Sequence, residues 1–258
     1  MTGARMPVVF LGHGSPMNAI EDNAFHRGWA DLGARLPRPR AVLCISAHWE
    51  TQGVGVTAME QPRTIHDFFG FPQALFDVRY SAPGNPALAR RVSELLAPHR
   101  PALDMSWGLD HGSWGVLIAM YPRADVPVVQ LSLDMTKDGA YHYELGRALK
   151  PLRDEGVLIL GSGNIVHNLR LFDWRKPQQL DWAVRFDAVA KQRIAAGDHG
   201  DLIDFERLGE DAALSINSRE HYLPLLYVLG AAAEGEPVSL FNETVMSSIS
   251  MTSVVIGS

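Results

Sequence analysis

This chain reads as a single α/β domain, residues 1–258, built on a mostly parallel sheet with helices over both faces. Three observations point there. Short β-branched apolar runs recur along the chain, helical patterns of about 10–15 residues lie between them, and no repeat, low-complexity tract or linker divides the sequence. The apolar runs are PVVFLG (7–12), AVLCISA (41–47), VPVVQLSL (126–133), VLILGSG (157–163) and SMTSVVIG (250–257). Runs this short, apolar at every position, suit strands buried between two layers of helix.

The intervening segments justify the helices in turn. Residues 22–36 set Phe25, Trp29, Leu32 and Leu36 at helical spacing. NPALARRVSELLAP (85–98) opens with Asn85 as a cap and Pro86 at the first helical position. HGSWGVLIAM (111–120) reads as a helix opened by His111. YHYELGRALKPLRDEG (141–156) and DWAVRFDAVAKQRIAAG (181–197) each close on a glycine, the residue that most easily leaves a helix in the left-handed conformation. EHYLPLLY (220–227) starts a further helix, for which Asn217 or Ser218 is the expected cap. The stretch 56–84, rich in Pro, Gly and aromatic residues, is a long loop or hairpin insertion of the kind that carries function.

Composition narrows the function classes. Apolar residues make up 47% and charged residues 20%, an ordinary globular balance that excludes intrinsic disorder. The 23 basic residues against 29 acidic ones leave a net charge of −6, which argues against nucleic acid as a partner because phosphate neutralisation needs clustered positive charge. No signal-peptide pattern opens the chain, and no apolar run approaches the roughly 18 residues of a membrane span, so a soluble, cytoplasmic protein without membrane contact is expected. The single cysteine, Cys44, excludes an internal disulfide and a multi-thiolate zinc site, and reads as a small buried hydrophobe. The sequence leaves homo-oligomerisation open.

Ten histidines are present, and their positions matter more than their number. His13 in GHGSPMN follows the first strand, His48 in SAHWE the second, and His167 in GSGNIVHN the strand VLILGSG. All three fall where open α/β sheets bind ligands, past the carboxyl ends of parallel strands. His111 in DHGSWG and His221 in EHYLPLLY each open a helix. Any one of them alone is more simply a hydrogen-bonded structural residue. Their coincidence at one sheet edge, beside small residues that permit close approach, favours a metal site, since imidazole is the commonest protein ligand for first-row metals. The spacing is not HExxH, GSGNIVHN is neither GxGxxG nor a P-loop, and no GxSxG elbow accompanies Ser15 or Ser113.

Taken together, GHGSPMN, SAHWE, TIHDFFGFPQALFDVRY, DHGSWGVL, GSGNIVHN and EHYLPLLYVLGAA resemble the class III extradiol ring-cleavage dioxygenases, in particular the 4,5-DOPA extradiol dioxygenase-like branch, from about Met6 to Gly257. The resemblance implies a single domain with a central mixed, mostly parallel sheet. It also implies one mononuclear divalent metal, Fe(II) for activity with Zn(II) plausible as the bound ion. The implied reaction opens the ring of a DOPA-like catechol with O2 to give a semialdehyde. By motif, it places His13, His48 and His221 as metal ligands, with His167 as acid/base or a further ligand and His111 as a second catalytic histidine. His66, Ser15 and Tyr222 are the expected substrate contacts. Glu220, adjacent to His221, competes for the third ligand position. Two other classes stay open: a zinc-dependent hydrolase of a small polar substrate, which needs the same metal and base, and a non-enzymatic binding protein on the same fold.

Overall fold

The structure, a computed structural model, describes residues 5–175 and 178–258. Its strands are β1 (Val8–Gly12), β2 (Ala41–Thr51), β3 (Gly55–Thr57), β4 (Ala102–Asp104), β5 (Val128–Asp134), β6 (Val157–Gly163), β7 (Val238–Phe241), β8 (Val245–Met246), β9 (Ile249–Ser250) and β10 (Ser253–Ile256). Its helices are α1 (Ala24–Arg35), α2 (Gln73–Phe76), α3 (Pro86–Leu95), α4 (His111–Met120), α5 (Gly139–Leu149), α6 (Asp181–Ala196), α7 (Gly200–Ile203), α8 (Glu210–Ser215) and α9 (Leu223–Ala231). Eight strands form one sheet in the order β4-β3-β5-β2-β6-β1-β10-β7, while β8 and β9 pair as a separate hairpin.

The four central strands β5, β2, β6 and β1 are mutually parallel, and antiparallel pairing is confined to the β3/β5 join and to β10 and β7. The sheet is therefore mixed but mostly parallel. Successive side chains of a strand point to opposite faces, and both faces are covered. Val8, Phe10, Leu43 and Ile45 pack with Leu145, Leu149, Leu225 and Val228 of α5 and α9. Val9, Leu11, Val42 and Cys44 pack on the other side with Trp29, Leu32, Trp114 and Leu117 of α1 and α4. Cys44 is fully buried, and burial raises its thiol pKa, as suits an inert core residue.

Several boundaries differ from the sequence reading. β2 continues to Thr51, so His48 lies on the strand, where its pairing with β5 shifts register between Ile45 and Glu50. α5 starts at Gly139, capped by Asp138, and gives way to a 3-10 turn over Lys150–Arg153 before Gly156 is reached. The helix beyond His221 begins only at Leu223, with Tyr222 at its cap and no side-chain capping bond; Ser218 bonds Glu220 instead. The 56–84 stretch is an irregular insertion, yet β3 at its start joins β4 to complete one edge of the sheet. Among the described residues no helix is long and apolar enough to cross a membrane.

Candidate metal centre

Parallel packing brings the carboxyl ends of β1, β2 and β6 to one edge, and five imidazoles converge there around a cavity of about 220 Å³. His13 leaves β1 directly, His48 stands on β2, and His111 opens α4. His167 follows β6 and bridges to Ile249 of β9, while His221 sits in the turn before α9. That turn can approach β6 because position 163 is glycine: a Cβ there would stand 2.1 Å from the His221 carbonyl oxygen.

Three of the rings have a partner facing Nδ1. Ser162 spends its hydroxyl proton on the Gly112 carbonyl, so its oxygen accepts from Nδ1–H of His13 at 3.0 Å. Glu220 Oε1 lies 2.9 Å from His221 Nδ1, and Asp67 Oδ2 lies 3.4 Å from His48 Nδ1. With Nδ1 protonated toward these acceptors, Nε2 of all three rings keeps its lone pair, the usual way in which a second layer of residues prepares ligating histidines. Nε2 of His13 and Nε2 of His48 stand 3.2 Å apart.

Ring spacing tests which imidazoles fit one ion. A ring ligated at about 2.0–2.1 Å has its centroid ~3.2 Å from the metal, so three such rings near tetrahedral angles have centroids ~5 Å apart. The observed separations are 5.0 Å for His13–His48, 5.3 Å for His13–His221 and 5.1 Å for His48–His221. His111 breaks this regularity, at 3.9 Å from His48 and 5.7 Å from His13, although its nitrogen approaches those of His13 and His48 closely enough to belong to a three-histidine group. A second group, His167, Glu220 and His221, opens on the same cavity. Oε1 of Glu220 lies against His221 Nδ1 and accepts from the Ser218 hydroxyl.

Burial keeps four of the imidazoles neutral. His13 and His221 are held well below the usual imidazole value by burial first and then by neighbouring histidines. His48 falls to about 3 and His167 to about 4, again chiefly through burial. The His167 ring lies parallel to His221 at 3.5 Å, and its backbone N–H is anchored on Ser215.

Sequence reasoning did not assign Asp67 a role, and it proves central. Burial would raise its pKa, but contacts to His111 and the charge of His48 outweigh that and hold it below the ordinary carboxylate value. One oxygen lies 2.9 Å from His111 Nδ1 and the other accepts the His111 backbone N–H at 2.9 Å. Beneath it, the buried Asp110 carboxylate caps α4 through Ser113 N–H and accepts from Ser46 of β2 and Gln130 of β5, fixing α4 against both strands. The adjacency of Asp67 to His66 in TIHDFF was the available signal, but nothing local showed that the insertion folds back onto α4.

Of the expected substrate contacts, Ser15 lines the cavity. His66 does not: its Nε2 faces the Val78 carbonyl at 3.0 Å and its ring packs on Phe68, Phe76 and Trp114, stitching the insertion together. Tyr222 does not either. It is 1% exposed, stacks near Phe205, and donates its hydroxyl to the Leu202 carbonyl, because the turn that aims His221 at the cavity sends its neighbour into the core. Phe68 and Phe71 of the insertion do line the cavity, joined by Leu169, Phe172 and Trp174 from the segment after His167, which the sequence reading had not singled out.

This geometry can be set beside known proteins. A family model described as the catalytic LigB subunit of aromatic ring-opening dioxygenase matches residues 6–256. The chain belongs to this family. It is 53% identical to the 4,5-DOPA dioxygenase extradiol of Escherichia coli K12, an alignment covering all of this chain and 97% of the relative. It is 39% identical to the protein of the same name from Beta vulgaris, over 91% of this chain and 90% of that one. The crystal structure of an uncharacterized protein from Escherichia coli K12 superposes with a TM-score of 0.86 at 49% identity, covering 98% of this chain and 100% of that one. The protein is thus an extradiol, catechol-cleaving dioxygenase, whose family reaction joins a small aromatic substrate with O2. Together the family and the buried histidine cluster indicate one metal site.

Proposed function

We propose that the protein opens a catechol ring beside its two hydroxyls at a single Fe(II) held by Nε2 of His13, His48 and His221. The observation that carries this is the near-equal spacing of those three rings, with Nδ1 of His13 and His221 hydrogen-bonded from behind and Asp67 3.4 Å behind His48. When bound, iron supplies the redox chemistry with O2 that no side chain can perform, and three protein ligands on one side leave room for substrate and O2. The three imidazoles need no deprotonation to bind it, because burial already keeps them neutral.

His167 is the proton-transfer residue in this reading. Its neutral ring, stacked over His221, takes a catechol hydroxyl proton at an imidazole nitrogen and later returns it to the opened product. His111 presents its Nε2 edge to the reacting ring or to O2, held there by Asp67. Phe68 and Phe71 exclude water from one wall, and Ser15 borders the mouth. The relatives' name makes L-DOPA the first catechol to test.

An all-imidazole set also suits Zn(II), which lacks redox chemistry, so a zinc hydrolase rests on the same donor atoms. Anaerobic reconstitution with Fe2+ or Zn2+, followed by oxygen uptake with a panel of catechols, separates the two. Iron-loaded protein should bind one ion per chain and consume one O2 per ring opened, while zinc-loaded protein consumes none. Oxygen uptake that fails with every catechol would overturn the proposal.

A further inference from the structure

Next to the histidine cavity lies a second, much smaller one, and His13, Gly14, Ser15, Pro16 and His111 border both. The far side of the smaller cavity is Ala19, Trp29 of α1, and Gly115 and Val116 of α4, all buried. Only about 10 Å³ is open there to the centre of a small molecule. That is near the lower limit for one water, so the occupant is a single molecule of that size.

Two glycines of α4 differ in what they leave room for. A Cβ at Gly112 would stand 2.5 Å from Ser46 Oγ and 2.8 Å from His48 Cδ2, so packing against β2 demands glycine there. A Cβ at Gly115 would meet only the Ala19 Cβ, at 3.9 Å, an ordinary contact. Glycine inside a helix is less stable than alanine, and no neighbour requires it at 115. The missing methyl group leaves open the space between α4 and Ala19, which is part of this cavity.

The lining offers little to hold a water. Asn18 is occupied on both sides, donating to the His13 carbonyl and accepting from Asn23, and Ser15 Oγ takes the Met17 N–H. Nε1 of Trp29 is buried without a hydrogen-bond partner among the described residues. One N–H falls short of the roughly two to four polar partners that hold a buried water. O2 is apolar and of similar size, so it forfeits no hydrogen bonds on entering and gains contact with Ala19, Trp29 and Val116.

We infer that this small cavity is a docking site for O2, separate from the space that the catechol fills; this rests on the dioxygenase reading above. O2 held there stands against His13 and His111 while the catechol occupies the larger cavity. Gly115 and Ala19 set how much room it has.

The test uses the paramagnetism of O2, which speeds the relaxation of nearby protons. On zinc-loaded protein, which turns nothing over, raised O2 pressure should broaden the Ala19 methyl and Trp29 indole N–H signals. The Ala190 methyl, buried on the other face of the sheet, should broaden less. Gly115→Ala fills the space with one methyl group and should abolish that difference. In iron-loaded protein the same variant should raise KM for O2 by at least about threefold, with kcat at saturating O2 and KM for L-DOPA unchanged. Ala19→Val narrows the cavity from the opposite side and serves if Gly115→Ala does not fold. Uniform broadening in the unsubstituted protein, or an unchanged KM for O2 in a folded variant, overturns the inference. So does a crystal structure with an ordered water on Trp29 Nε1 that O2 pressure does not displace. Should iron-loaded protein open no catechol, the proposed reaction fails, and the relaxation measurement on the zinc form still decides whether O2 docks here.

Discussion

The two ends of the sheet treat buried polar groups in opposite ways. At the amino end of β1 and β6, Arg153 is fully buried and all three nitrogens of its guanidinium donate. It donates to the Met6 and Ala231 carbonyls and forms a two-pronged pair with Glu236 at 2.7 and 2.8 Å. At the carboxyl end, five imidazoles are gathered around a cavity instead. Nδ1 of His13 and His221 is bonded to Ser162 and Glu220, Nδ1 of His48 lies 3.4 Å from Asp67, and all three rings line the cavity. A polar cluster that completes itself joins chain segments together. One whose imidazoles converge on a cavity is suited to ligand chemistry there.

The contrast predicts that changes at one end alter chemistry and changes at the other alter stability. The largest expected effect is at His167. Its replacement by Gln should keep metal and catechol binding but lower kcat by about 10²–10⁴-fold, measured by single-turnover kinetics alongside metal analysis of the same sample. Loss of metal together with rate would make His167 a ligand instead. Next comes Glu236→Ala at the amino end, which leaves the Arg153 charge buried and unpaired and should destabilise the protein by about 3 kcal/mol. Denaturant midpoints read that loss, and metal content and KM in the folded fraction should not move; a metal defect there would erase the distinction between the two ends.

Smaller effects sharpen the same comparison. Glu220→Gln removes the charged acceptor from His221 while leaving the ring in place, so metal affinity should fall about 10–100-fold with little change in unfolding. If Glu220 were itself the third ligand, His221→Ala would be the milder of the two variants in a metal titration. Outside both clusters, His142 of α5 is buried with Nδ1 against the Tyr227 hydroxyl, and burial lowers its pKa to about 4. Its folded-state value lies below the unfolded value near 6.5, so its stabilising contribution is complete above that pH and is lost as pH falls toward 4. Metal-loaded protein should therefore lose on the order of 1–2 kcal/mol between pH 6.5 and pH 5 through this residue alone. His142→Gln should show a correspondingly shallower pH dependence of the denaturation midpoint, and an unchanged slope would contradict the assignment.

The parts of the molecule that were legible in the sequence share a cause. VVFLG, AVLCIS and VLILGSG are apolar at consecutive positions because both faces of those strands are covered, so their pattern reports burial directly. Asn85, Asp110 and Gly197 mark helix ends through bonds or dihedrals that involve only near neighbours. Strands β3, β4 and β7 were not legible. They have only three or four residues each, with β4 largely exposed and β7 half-buried at the sheet edges, so little periodicity distinguishes them from loop.

The same division runs through the site. Strand pattern placed His13, His48 and His167 at one edge of the sheet, and the family resemblance added His111 and His221. Which nitrogen each ring turns inward depended on Ser162, Asp67 and Glu220, of which only Glu220 neighbours its histidine in the chain. Tyr222 and His66 sit beside site residues in sequence and yet point into packing contacts. They do so because side-chain direction in an irregular turn follows no fixed period and is set by whichever distant surface the turn packs against. Membership of the site was thus written into strand ends and motifs, whereas orientation within it was decided by contacts across the fold.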